Sequence, residues 1–345
     1  MMKTLVSAAA VLIPVLLWAD MLAQARPPII DMHLHARRAD YLGPDPPPMC
    51  TPFERMPRWD PSHPIATGLT FGDRPPCETP IPAATTDERV MRETLAVMEK
   101  RNIIGMVSGE PGLIATWKTV LTDRMIAGLD LSLGGPSSAA HRRAFSVDDV
   151  RRLLTSDGFK VLGEVMAQYD GVAPDDNRLE PYWALAEELD VPVGIHLGPG
   201  GPAEFYLGTK GYRARASSAL NVEEVLIRHP RLRLYVMHAG YPLVDDLRAL
   251  LFSHPQVYVD ISSIVYTEPR PAFYRFLQQI VEAGYADRVM FGSDQMIWPG
   301  IIEPAIRVIE DAPFLSESQK RDIFYNNAAR FLRLTTEQIA RHHAM

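Results

Sequence analysis

The sequence predicts an α/β chain folded as a (β/α)8 TIM barrel with a long proline-rich loop after the first strand. Three observations predict it: eight short aliphatic runs, longer amphipathic stretches between them, and polar residues gathered at the ends of the runs. Continuous apolar strands alternating with helices mean a parallel sheet covered by helices. Eight such units in roughly 300 residues fit the size of a barrel, with a doubly wound open sheet as the alternative.

In chain order the strand candidates are "IIDMHLH" at 29, "IIGMVS" at 103, "IAGLDLSL" at 126, "KVLGEVM" at 160, "VPVGIHLG" at 191, "LRLYVMHAG" at 232, "VYVDIS" at 257 and "RVMFGSD" at 288. Helical patterns such as "TDERVMRETLAVMEKRN", "SVDDVRRLLTSDG" and "LVDDLRALLFSHP" separate them. Several begin at a Ser or Thr cap with acids in the first turn, and several end at Gly or His-Pro, as helix termini should. No repeat or linker argues for a second domain. The segment from 40 to 85, with "GPDPPPMCTPF" and "GDRPPCETPIP", shows no helical or strand period. Loops of that length are usually functional, and this one is placed where an active-site lid would be.

Ahead of the first strand, Lys3 is followed by an apolar run from Leu5 to Ala19 and by Ala23, Gln24 and Ala25 in small-x-small order. That is the pattern of a signal peptide over residues 1–25, cleaved after Ala25, with one barrel domain from 26 to 345. The run falls short of the roughly 20 apolar residues of a spanning helix, so no membrane association is expected after cleavage. Export, to the periplasm or outside the cell, makes pairing the expectation for Cys50 and Cys77, the only two cysteines. A bridge of that span stabilises by roughly 3 to 4 kcal/mol on the chain-entropy model. The net charge of -7 is modest and the basic residues are scattered, which argues against nucleic acid as a partner.

A barrel brings the C-terminal ends of its strands to one mouth. The last polar residues there are His33 and His35, Glu164, His196, His238 and Asp294. His33 and His35, two apart on a strand, face one side and invite a cation. Buried imidazoles and carboxylates without partners cost kilocalories, so several at strand ends call for a common sink, for which a divalent metal is the simplest. Asp260, at the end of the seventh strand, faces the mouth or serves structure. Asp31 is read as capping a backbone group or orienting a ligand. His229 and His254 precede prolines at helix ends, and His63, His141, His342 and His343 are read as solvated. Arg37, Arg38, Arg213 and Arg215 are candidates for a substrate carboxylate, since the guanidinium fork suits one. Tyr206, Tyr212 and Trp298 are candidates for stacking on a planar substrate.

The order "DMHLH", "GIHLG", "VMHAG" and "FGSD" resembles the metal-dependent hydrolases of the amidohydrolase superfamily. Within it, the chain looks like the branch containing aminocarboxymuconate semialdehyde decarboxylase, whose C-terminal helix is similar to "FYNNAARFLRL" at 324–334. The resemblance implies that His33, His35, His196 and Asp294 bind one divalent ion, zinc by preference, and that His238 positions and deprotonates the water on it. Binuclear relatives often carry a carboxylated lysine at the end of the fourth strand; Glu164 stands at the equivalent place, which favours one ion but leaves room for a bridged second. Such a ligand set lowers the pKa of bound water toward ~7. The expected activity is hydrolysis of an ester, lactone or amide of a small molecule. The alternatives are non-oxidative decarboxylation of a small unsaturated or aromatic acid, and an exported metal-binding protein without activity. A homo-oligomer is compatible with all three.

Overall fold

The computed structural model describes residues 26–70, 77–134 and 144–345. The expected signal peptide and His141 lie outside the described residues. Eight parallel strands form the barrel in sequence order: β1 (Ile29–His35), β2 (Ile103–Gly109), β3 (Met125–Leu131), β4 (Val161–Val165), β5 (Val193–His196), β6 (Leu234–Met237), β7 (Tyr258–Asp260) and β8 (Val289–Met290). The chain beyond β8 closes it: Met32 N donates to Phe291 O at 2.9 Å, His35 N donates to Gln295 O at 3.0 Å, and Leu34 bridges Gln295 in parallel. An open sheet would leave β1 unpaired on that side, so the doubly wound alternative falls.

The helices form where their end signals stand. The helix Asp87–Arg101 starts at Thr86, whose hydroxyl accepts from Arg89 N, carries Asp87 and Glu88 in its first turn and stops at Asn102 in the left-handed region. Val147–Thr155 starts the same way at Ser146. Their apolar faces and the outward side chains of the strands make the larger core, whose members include Leu34, Val107, Leu129, Trp183, Ile195 and Phe291.

The barrel interior is filled separately. Ile30, Met32, Ile104, Met106, Val161, Tyr235, Met237 and Met290 pack together and are closed off by Tyr325 and Phe331 near the C-terminus. Strict alternation would put Asp31 on the same face as His33 and His35. The pairing of β1 with β2 slips between Asp31 and Leu34, so Ile30 and Met32 fill the interior floor and His33 and His35 continue inward above them. Gly194 on β5 is required by the same crowding, because a Cβ there would stand 2.4 Å from Cζ of Tyr235.

The proline-rich loop is folded onto the barrel. Cys50 and Cys77 are joined by a disulfide, and Met49 pairs with Ile81. Trp298 Nε1 donates to Pro47 O at 2.9 Å and Phe53 N donates to Thr267 O at 3.0 Å, which ties the loop to the segments after β7 and β8. His342 is buried rather than solvated: its ring bonds the Tyr325 hydroxyl at 3.0 Å and its carbonyl accepts from Asn102 at 3.1 Å, so it stitches the C-terminal helix to the barrel. His229 is held between Glu180 at 2.8 Å and Glu187 at 3.3 Å, a structural place. Among the described residues no helix is long and apolar enough to cross a membrane.

Candidate metal centre

His33, His35, Glu164, His196, His238 and Asp294 meet at the mouth, all nine-tenths or more buried. His33 Nε2 and His35 Nε2 are 3.1 Å apart, and Asp294 Oδ1 lies 3.1 Å from His35 Nε2 and 3.6 Å from His33 Nε2. Glu164 stands among the histidines. Its Oε2 is 3.5 Å from His35 Nε2, while its Oε1 is 3.9 Å from His196 Nε2 and 3.8 Å from His238 Nε2.

The donor atoms fall into three close groups: His33, His238 and Asp294; His33, His35 and Glu164; Glu164, His196 and His238. The donor atoms of His33, His35 and Asp294 lie within 3.6 Å of one another, whereas His196 stands with Glu164 and His238. Two of the donors sit on left-handed backbone, His238 at φ 57° and Asp294 at φ 53°, a conformation that non-glycine residues seldom adopt outside special sites.

Each imidazole is held from behind through Nδ1. His33 Nδ1 lies 3.1 Å from Asp260 Oδ2 and 2.7 Å from Ser262 Oγ. His35 Nδ1 meets Ser108 Oγ at 2.8 Å. Nδ1 of His196 donates to Gln168 Oε1 at 2.9 Å, and that of His238 donates to Ser262 O at 3.1 Å. All four Nε2 atoms therefore turn to the centre, the arrangement of ring nitrogens that bind metal while a carboxylate or carbonyl fixes the tautomer. Tyr169 adds a hydroxyl 2.9 Å from His196 Nε2.

The charges agree with that arrangement. Burial alone would raise the carboxyl groups of Asp260 and Asp294, yet the neighbouring histidines, His33 foremost, hold both below their ordinary range. Glu164 is held well below its range against burial by His238, His196, His33 and His35. Burial pulls His33 down, but Asp294 and Asp260 outweigh it and push the ring up to about 10. His196 is pulled down to about 3 by burial and by His238, and His35 is lowered by burial and Arg37, so both offer neutral lone pairs. A buried site with three ionised carboxylates has a place for a cation, and nitrogen and oxygen donors at these separations fit a divalent one.

Asp31 caps as expected: Oδ1 accepts from His33 N and Ser293 N, both at 3.0 Å, and burial pushes its carboxyl up to about 7. Arg37 is not free for substrate. It is buried, paired with Asp130 and laid over the Tyr41 ring at 4.7 Å, because a buried guanidinium needs a counter-charge. Asp130 in turn lies 3.9 Å from His35 Nδ1 and accepts from Glu164 N at 3.4 Å. Arg38 points away, exposed, to Asp40 at 3.0 Å and Asp87 at 3.8 Å. Trp298 is buried under the proline-rich loop, an anchor rather than a stacking surface. Arg213 and Arg215 line a cavity of about 330 Å³ that reaches His196 and Gln168. Tyr206, 55% exposed, stands farther out with Tyr212. Glu164, read from the sequence as lining the mouth or bridging a second ion, lies between His35 on one side and His196 and His238 on the other.

Sequence reasoning passed over Ser108, Asp130, Gln168, Tyr169 and Ser262. The rule that located the histidines, a polar residue ending a buried strand, applies equally to Asp130 on β3 and Ser108 on β2. Gln168 and Tyr169 lie on the one-turn helix Ala167–Asp170 after β4 and carried no such signal.

The family model described as amidohydrolase matches residues 30–334, and the chain belongs to that family. The solved structures most like it include 5-carboxyvanillate decarboxylase from Sphingomonas paucimobilis, at 15% identity and TM-score 0.54, covering 90% of this chain and 100% of that one. Another is 4-oxalomesaconate hydratase from Rhodopseudomonas palustris, at 17% identity and TM-score 0.54, with 88% and 95% covered. A third is a probable 2-pyrone-4,6-dicarboxylic acid hydrolase from Acinetobacter baumannii, at 13% identity and TM-score 0.54, with 89% and 99% covered. At these identities the likeness speaks for the barrel, and the three names stand for three different reactions. No curated protein matches the sequence.

Proposed function

We propose that the protein is an exported metal-dependent hydrolase that cleaves an ester, lactone or amide carbonyl of a small molecule. The observation that carries this reading is the convergence of four imidazole Nε2 atoms and the Glu164 and Asp294 carboxylates in one buried mouth. His33, His35, Asp294 and Glu164 would hold one divalent cation, zinc by its taste for nitrogen donors, while His196, expected in the same set, faces the other oxygen of Glu164. When bound, such an ion supplies Lewis acidity and brings the pKa of water to ~7. Asp294, ionised at neutral pH, accepts the proton of the attacking water at its carboxylate. Against burial, Glu164 and Asp294 raise His238 above its ordinary range, so it donates to the carbonyl oxygen as that atom gains charge. Asp260, Ser108 and Gln168 hold the rings of His33, His35 and His196 in the orientation this requires.

The test is elemental analysis of the purified protein joined to a panel of lactones, esters and amides followed by proton release. One divalent ion per chain with turnover of a panel member is expected; a protein that neither retains a divalent ion nor turns over after loading with zinc or manganese refutes the reading. A decarboxylase is the second reading, favoured by the 5-carboxyvanillate decarboxylase whose barrel this chain shares over most of its length. Release of carbon dioxide from unsaturated or aromatic acids, with no hydrolysis, would establish it instead. Export is checked by the N-terminal residue of the protein recovered outside the cytoplasm, with Arg26 expected.

A further inference from the structure

We infer that the loop after β5 and the proline-rich loop form an aromatic subsite beyond the donor cluster, which takes the distal ring of an extended aromatic anion. The inference rests on the small-molecule reading above and adds the shape and charge of the molecule.

A file of rings leads outward from the donors. The Tyr169 ring lies 4.4 Å from His196, and Tyr212 lies 5.9 Å from Tyr169. Tyr212 then lines, with Phe205 and Tyr206, a cavity of about 580 Å³, within the size range of small-molecule sites. Tyr206 stands 5.3 Å from Phe205 and 5.2 Å from Trp59 of the proline-rich loop, so the file ends on that loop. Arg213 lines both this cavity and the smaller one that reaches His196, which makes the two adjacent. Two ring spacings separate His196 from Tyr212. A single ring beside His196 cannot also occupy the outer cavity, so a ligand that fills both needs at least two ring-sized units.

Two cations and one carboxylate stand at the subsite. Arg213 Cζ and Lys210 Nζ lie 4.8 Å and 4.9 Å from the Phe205 ring. Glu204, the acid that lines the cavity, already accepts from Gly201 N at 3.1 Å and from the Thr209 hydroxyl. Arg213 Nη1 donates to the carbonyls of Lys210 at 2.9 Å and Tyr212 at 2.7 Å. Those bonds fix the guanidinium, whose other N–H groups have no partner among the described residues. A fixed fork beside half-buried rings and the exposed Tyr206 suits a carboxylate or phenolate on an aromatic frame.

The experiment is calorimetric titration of the protein as purified with benzoate, biphenyl-4-carboxylate and neutral biphenylmethanol. Biphenyl-4-carboxylate should bind about tenfold more tightly than either other probe. Tyr206→Ala and Trp59→Ala should each remove about five- to tenfold of that advantage and leave benzoate unchanged. Arg213→Gln should erase the preference over biphenylmethanol. Biphenyl-4-carboxylate binding no better than benzoate, or not at all, overturns the subsite, as does full affinity in both alanine variants. Binding is read without turnover, so a protein devoid of metal would sink the hydrolase reading while the subsite stood or fell on its own titration.

Discussion

The barrel interior has two ends built from the same strands, and they obey opposite rules. At the floor, Ile30, Met32, Ile104, Met106, Tyr235 and Met237 fill the space with apolar volume, closed off by Tyr325 and Phe331. At the mouth, one or two residues farther along the same strands, the space holds imidazoles and carboxylates that could not be buried singly without a cost of kilocalories each. They are tolerable because each imidazole carries a partner behind it at Nδ1 and the carboxylates lie against the imidazoles in front. The floor supplies the free energy that holds the strands, and the mouth spends part of it on keeping charges close and dry. Stability and chemistry are thus separated by roughly one strand turn within a single cavity.

The separation is tested most severely at Asp294. Replacing it by Asn should lower kcat by about 10² to 10⁴ with the fold retained, as expected for loss of a general base. Activity like that of the wild type, measured on protein shown to be folded by circular dichroism, would remove Asp294 from the chemistry.

A second test strips the cation with a chelator and follows stability against pH. The His33 ring is pushed up to about 10 from 6.5, so its contribution is fully present below pH 6.5 and is lost as pH rises toward 10. Metal-free protein should lose stability by a few kcal/mol across that window, while the metal-loaded form stays level. A level profile in the metal-free form would mean that Asp260 and Asp294 do not balance a charge on His33.

The floor is probed by Gly194→Ala, which forces a methyl group against the Tyr235 ring. It should cost about 1 to 3 kcal/mol in denaturant unfolding yet leave turnover per folded molecule near that of the parent. Loss of activity without loss of stability would blur the line between the two ends. The smallest effect is expected for Arg38→Ala, at most ~0.5 kcal/mol and no change in kcat/KM, since Arg38 is an exposed partner of Asp40 and Asp87. A large drop in kcat/KM there would return it to the substrate candidates.

Much of the site was legible because a barrel obeys a simple rule: a polar residue ending a buried strand faces the mouth. The rule places His33, His35, Glu164, His196, His238 and Asp294 together from the sequence alone, and it applies to Asp130 as well. It did not reveal that Arg37 is consumed by Asp130, that Trp298 anchors the loop, or that Gln168 holds His196. Those facts depend on which neighbours a side chain meets across sequence gaps of tens to hundreds of residues, and loops carry no period from which to read them.

By itself, then, the sequence determined the alternation of strands and helices, the closing count of eight and the chemistry of each strand end. These are local properties: hydrophobic period, caps and residue type. The tertiary structure decided the rest. The slip within β1 turned Met32 and His33 to the same interior, the two oxygens of Glu164 divided the donors into overlapping groups, and the packing of Trp59 on Tyr206 carried a row of rings out to the proline-rich loop. Each is a matter of distance between segments remote in the chain, settled when the barrel closes.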